Sequence, residues 1–423
     1  MASKVPVEAI APAIPTQPIE EAAPAQSPGR RPELDALRLL VIFGLIPVHA
    51  AYIFVPFFDY YLRGTEILGF TVFVVVAVIW AMPLLFTTSG MALRFALRSR
   101  SAGQIIHERI TRLLVPFVFG VIVVVPPLTY IDIIANDGYT GSYWTFLGRF
   151  FDIRLSWDFP YFFTGRNWMF EVAHLYFLYL LFVYTLLLLP VLLFLRSERG
   201  ARAKAAITGW LTKPIALAFL GVPIVVLQAM LGGEDKGGWD RWVYLLCVLY
   251  GYLFALDERV MRVISARWRT WLVVAAVATF ALFPFGLYLD EIEVDGLQDP
   301  EVVAVLWRVV MGVGGWFSIL AILGGTARAL RGRRAVEDVA RSGGKTRLAR
   351  LGVYAQDAVL PVYVLHLTVV IAVAYYVLAW PVNAFVQFLA IVSLSFVFTL
   401  LLFEIARRNP VARFLLGIKS RHK

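Results

Sequence analysis

A chain of 423 residues that is 60% hydrophobic, 15% aromatic and only 16% charged carries more apolar surface than a water-soluble core can hide, since soluble domains are about 25% charged. Its single cysteine, Cys247, excludes a disulfide framework or a paired redox or metal motif. A formal net charge of +10 raises nucleic-acid binding, but the basic residues sit between hydrophobic runs, which makes them topology signals.

Residues 1–30 are rich in Ala, Pro, Glu and Gln and lack the apolar stretch of a signal peptide. They read as a disordered cytoplasmic tail. Beyond them, apolar runs of the roughly 20 residues needed to cross a bilayer as a helix recur to the end of the chain. Spans are expected near 36–57, 67–93, 113–134, 169–195, 214–231, 241–257, 271–289, 303–325, 355–379 and 382–405. The expected fold is therefore all-α: a polytopic membrane helix bundle of about ten transmembrane helices over 31–406, followed by a basic tail, 407–423. Most of the chain's 39 lysines and arginines fall in alternate connections and at the two ends. By the positive-inside rule both termini are cytoplasmic.

The first span carries Asp35, Arg38 and His49. Eleven positions make three helical turns plus a small remainder, so Arg38 and His49 share one face about 16 Å apart. A terminal arginine commonly snorkels to the headgroups, whereas a histidine inside an apolar run is either a satisfied core residue or handles protons. Asp35 either orients Arg38 from one turn away or favours the positive helix end. Ser89-Gly90, at the end of the second span, permits a close approach of backbones, and packing is the role expected for it. In the next connection Arg109 and Arg112 stand one turn apart on a helix entering the membrane. Most such arginines set topology; a pair can also hold phosphates bidentately.

The longest outer connection, about 135–168, is rich in Tyr and Trp, including Trp157, Tyr161 and Trp168. Such rings usually belong to the interfacial belt; the functional reading is a platform for carbohydrate rings. Glu171 and His174 follow at the start of the fourth span. A Glu-x-x-His pair ligates metal only together with a second pair and further carboxylates, so no metal site is expected. His366 lies within Leu360-Pro361-Val362-Tyr363-Val364-Leu365-His366, with Tyr363 one turn below it. Three histidines on three helices can converge on one cavity.

These elements together resemble the acyltransferase-3 family of bacterial integral membrane acyltransferases, in its glucan biosynthesis protein C-like branch. The resemblance rests on Arg38-x10-His49, on Met82-Pro83-Leu84-Leu85-Phe86 through Ser89-Gly90, and on Arg109-x-x-Arg112-Leu113-Leu114-Val115-Pro116. It rests also on His174-Leu175-Tyr176-Phe177-Leu178, where tyrosine replaces the family's tryptophan, and on Pro361-x-Tyr363-x-x-His366. It implies transfer of an acetyl or succinyl group from cytoplasmic acyl-coenzyme A, a donor substrate and not a resident cofactor, to an envelope carbohydrate or other hydroxyl acceptor in the bacterial inner membrane. His49, with Arg38, His366 and Tyr363, would carry the chemistry; Arg109 and Arg112 would hold the donor, and Glu171, His174 and Trp168 the acceptor. The competing expectations are a proton-coupled transporter or flippase built on the same ionisable residues, and a haem protein ligated through facing histidines.

Overall fold

The computed structural model describes residues 32–56, 60–156, 164–167, 169–233, 238–292, 295–296, 298–340 and 347–418. The N-terminal tail and the aromatic residues Trp157, Tyr161 and Trp168 lie outside the described residues.

The chain is helical almost throughout. Helices α1 (Pro32–Tyr52) and α2 (Leu68–Ser99) precede a long helical run, α3 (Ala102–Asn136). A short α4 (Tyr143–Phe150) and a hairpin of β1 (Arg154–Ser156) against β2 (Thr164–Arg166) lead into α5 (Tyr176–Arg196). There follow α6 (Ala201–Leu211), α7 (Pro214–Leu231), α8 (Arg241–Phe254), α9 (Glu258–Ala266) and α10 (Trp268–Glu291). The chain closes with α11 (Val302–Ala340), α12 (Arg347–Val377), α13 (Ala384–Ala406) and α14 (Pro410–Leu415). Among the described residues nine helices are long and apolar enough to cross a membrane. This is a polytopic helical bundle and a multi-pass membrane protein.

The expected sixth span is the exception: α8 has 14 residues, about 21 Å at 1.5 Å per residue, against a hydrocarbon core of about 30 Å. Residues 238–240, just before it, fold into the bundle on non-helical backbone. The Trp239 indole N–H donates to the Val78 carbonyl at 3.2 Å, ten residues into α2. Its ring lies against Gly315 of α11, where a Cβ would come within 2.4 Å of it. Non-helical backbone at that depth needs partners from the protein. Buried Gln228 supplies them, donating to the Gly238 carbonyl at 2.8 Å and accepting from the Asp240 N–H at 3.2 Å. Asp240 then caps α8 by accepting from the Trp242 N–H at 2.7 Å. At its other end α8 reaches the basic ends of α2 and α5, with the Tyr252 hydroxyl on the Leu192 carbonyl and its ring near Arg94. Gln228→Leu strands both backbone groups and is expected to cost about 1–3 kcal/mol. A lowered melting midpoint in detergent would report it, and an unchanged one would contradict this role.

Helix α8 packs along α2 through two glycines. A Cβ on Gly90 would lie 1.9 Å from the Val248 carbonyl oxygen, and one on Gly251 would lie 1.9 Å from the Thr87 carbonyl oxygen. Close backbone approach of this kind is how helices gain contact area where lipid removes the hydrophobic drive.

Two wide π-turns, Ile110–Leu114 and Gly120–Val124, interrupt α3. Each precedes proline, Pro116 and then Pro126-Pro127, which lack the N–H that a regular helix uses. At the second turn Thr368 of α12 donates to the Val124 carbonyl at 2.8 Å, tying α3 to α12 two residues from His366.

Candidate active site

The apolar run of the first span continues through Ile53-Phe54-Val55, yet α1 stops at Tyr52. The chain doubles back, with the Gly64 N–H on the Ile53 carbonyl at 2.8 Å and the Ile67 N–H on the Phe54 carbonyl at 2.9 Å. His49 consequently stands in the last turn of α1, and the returning chain sets Tyr60 and Tyr61 beside it. Asn136 of α3 pins that return by donating to the Tyr61 carbonyl at 2.9 Å and to Asp132 at 2.6 Å.

A cavity of about 980 Å³ opens here between α1, α2, the Tyr60-Tyr61 return, the end of α3 and the start of α5. His49, His174, Tyr363 and Glu171 line it, as do Asp132 and Asp137. Among the described residues that line it there is no lysine or arginine.

The three histidines meet. The rings of His49 and His366 are 5.2 Å apart between centroids, and those of His174 and His366 are 4.8 Å apart. His366 is fully buried behind the other two and does not itself line the cavity. Its Nδ1 lies 2.7 Å from the Tyr363 carbonyl and 3.2 Å from that of Val362, so Nδ1 carries the proton and donates. Nε2 keeps its lone pair, buried and without a partner. His174 is held the other way round: Nε2 donates to the Val364 carbonyl at 3.0 Å, and the buried Nδ1 has no partner. In neutral imidazoles these are acceptor nitrogens.

The backbone around His174 is bent to achieve this. Ala173 takes a left-handed φ of 45°, a sparsely populated conformation for a residue with a Cβ, as the first residue of a single 3-10 turn over Ala173–Leu175. That bend turns the His174 carbonyl to accept the Tyr363 hydroxyl. The Tyr363 proton is thus committed to backbone and fixes His174 in place.

Glu171 lines the same cavity. Its two carboxylate oxygens accept from the Tyr61 hydroxyl and from Thr129 of α3, each at 2.8 Å. Burial first, then Tyr52 and Glu171 for Tyr60 and Glu171 for Tyr61, holds both phenols protonated well above the usual phenol range.

Arg38 does not reach the cavity. Its Nη2 donates to the Thr88 carbonyl on α2 at 3.2 Å, below the cavity floor. Arg109 and Arg112 lie on that same basic side, at the start of α3. Glu108 pairs with Arg100 and sits 3.7 Å from Arg112, while the buried Nε of Arg109 has no partner. Arg109 is within electrostatic range of Arg38, Arg100 and Arg112. Arg112 lies within the π-turn that begins at Ile110, directly after Arg109. Among the described residues no group of three His, Cys, Asp or Glu could hold a metal ion.

Of the residues singled out in the sequence, His49, His174, Glu171 and Tyr363 share this cavity, His366 backs it, and Arg38, Arg109 and Arg112 form a separate basic cluster. Tyr60, Tyr61 and Thr129 join the site without any signal in the sequence, because a tyrosine near a span end is indistinguishable from belt residues.

The acyltransferase-3 family, whose model is described as an acyltransferase domain, matches residues 31–404. No curated protein and no solved structure matches the chain.

Proposed function

The chain belongs to the acyltransferase-3 family and is a membrane-embedded acyltransferase, and on that premise we propose that it moves an acetyl or succinyl group from cytoplasmic acyl-coenzyme A to a hydroxyl of an envelope carbohydrate or related acceptor. A glucan fits this reading. The bacterial inner membrane would be the site of the reaction, with the basic loops cytoplasmic. The observation that carries it is the meeting of His49, His174 and His366 at a cavity also lined by Glu171, Tyr61 and Asp132.

In this account Arg109 and Arg112, with Arg38 and Arg100 nearby, hold the donor's phosphates by charge-assisted hydrogen bonds. The acceptor enters from the opposite side and hydrogen-bonds to Glu171 and the aspartates. His49 acts as general base on its hydroxyl. The hydroxyl oxygen bonds to the thioester carbon and its proton passes to His49. Collapse of the tetrahedral intermediate breaks the carbon–sulfur bond, and His49 returns that proton to the departing thiolate. A covalent acyl-imidazole at His49 is the variant of this route in which the imidazole attacks first. His366 backs the His49 ring, and its unpartnered Nε2 gives the site a second proton acceptor. His174 presents the acceptor, and Trp168 adds an aromatic surface for it.

Arg109→Ala combined with Arg112→Ala is expected to raise the KM for acyl-coenzyme A about tenfold or more with a smaller change in kcat, since charged hydrogen bonds contribute about 1.5–3 kcal/mol. Steady-state kinetics in vesicles would check this. An unchanged KM with misinserted protein would make these arginines topology signals only.

A further inference from the structure

His49 has one hydrogen-bond partner that the reaction scheme leaves without a role. The Tyr60 hydroxyl lies 2.8 Å from His49 Nδ1. Its ring is clamped on both sides: it stacks on Tyr52 at 5.0 Å between centroids, and Tyr61 meets it edge-on at 5.2 Å. Tyr61 is anchored in turn by its hydrogen bond to Glu171. The phenol is therefore aimed at Nδ1 by a second layer of aromatic packing, from a segment that α1 reaches only because it ends at Tyr52.

A neutral imidazole carries one proton. For Nε2 to take a proton from the acceptor, Nδ1 must already hold the N–H, and that N–H needs an acceptor. The His49 ring has the Tyr60 oxygen in that position.

We infer that Tyr60 is a positioning residue for acyl transfer, accepting the Nδ1–H of His49 so that the Nε2 lone pair faces the acceptor hydroxyl. The inference rests on the role proposed above for His49. When Nε2 receives the acceptor proton, the Nδ1–H···O bond becomes charge-assisted and supports the imidazolium. When Nε2 passes that proton to the departing thiolate, the bond relaxes. Tyr60 keeps its own proton throughout.

The groups facing His49 and Tyr60 are Tyr52 on α1, His366 and Tyr363 on α12, His174 and Glu171 leading into α5, Tyr61, and Asp132 at the end of α3. Among the described residues no lysine or arginine lines the cavity around them. The phenol oxygen is the group in hydrogen-bonding contact with Nδ1.

Three variants in reconstituted full-length protein test this, with acetyl- and succinyl-coenzyme A as donors. His49→Gln is the reference: if it transfers at the wild-type rate, the function proposed for His49 fails, whatever Tyr60 does. With that variant inactive, Tyr60→Phe deletes only the hydroxyl and keeps the stacked ring. It should lower kcat roughly ten- to a hundredfold, as expected for losing one charge-assisted hydrogen bond, with the donor KM unchanged. The acid limb of kcat/KM should move to lower pH, because an imidazolium without its oxygen acceptor is less stable and gives up its proton sooner. Nitrogen-15 NMR of the histidines, with His49 assigned by difference against His49→Gln, should show the Nδ1–H tautomer in wild type and a mixture in Tyr60→Phe. Tyr60→Ala, which removes ring and hydroxyl together, should show the same tautomer mixture. Wild-type kcat and pH profile in Tyr60→Phe would overturn the inference. So would a fall in kcat with the acid limb and tautomer unmoved, which marks a structural role only.

Discussion

Replacing His49 with alanine is expected to lower acyl transfer by about two to four orders of magnitude, the usual contribution of a positioned general base, while leaving insertion and thermal stability close to wild type. The ring stands on a cavity wall in the last turn of α1. The helix itself is anchored elsewhere, by fully buried Ile46, Ala50 and Ala51 and by Leu37, Val41 and Ile42. Removing the imidazole enlarges a space of about 980 Å³ that already exists, so little packing is lost. Added imidazole should restore part of the rate by occupying the vacated position. Transfer within a few fold of wild type would show that another group takes the acceptor proton, with His174 the next candidate on the cavity wall.

The second large effect is on the fold. Gly251→Leu is expected to abolish stable assembly, and Gly251→Ala to cost about 1–3 kcal/mol, the range for overpacking a tight interior. The atom in the way is the Thr87 carbonyl oxygen, 1.9 Å from where the new Cβ would sit. Neither helix can yield by turning a side chain, so α2 and α8 must separate, and with them the Trp239 contact to Val78. Gly90→Ala should act in the same direction through Val248. Gly209→Ala is the control: it lies inside α6, a Cβ there meets nothing within 4 Å, and it should be stabilising by about 0.5–1 kcal/mol. Melting curves followed by size-exclusion chromatography in detergent would compare the four. Equal midpoints for Gly251→Ala and Gly209→Ala would contradict the close crossing.

The parts of this architecture that hydropathy can read are those that depend on length and placement. Long apolar runs and the alternation of basic connections give the spans, and ionisable residues inside such runs mark His49, His174 and His366. Helix ends are harder, because Ile53-Phe54-Val55 extend the apolar run of α1 without extending the helix. The way α8 falls short of a full span is hidden for a related reason: Trp239 lowers into the bundle on non-helical backbone whose partner, Gln228, belongs to the preceding helix. Arg38 shares a helix face with His49, yet its guanidinium finds the Thr88 carbonyl on α2 first. The acidic part of the cavity lining depends on distant pairings, as Tyr61 with Glu171 shows across 110 positions of sequence. Two π-turns also shift the phase of α3 in a way hydropathy does not show, the first of them running through Arg112.

The measurement that bears most directly on the central claim is label transfer across the bilayer. Radiolabelled acetyl- or succinyl-coenzyme A is supplied to the cytoplasmic face of sealed inside-out vesicles, with carbohydrate acceptors inside. Label in the enclosed carbohydrate with wild type, and none with His49→Ala protein inserted to the same level, is the predicted result. No transfer by well-folded wild-type protein from either donor to a range of glucans and other hydroxyl acceptors would contradict it.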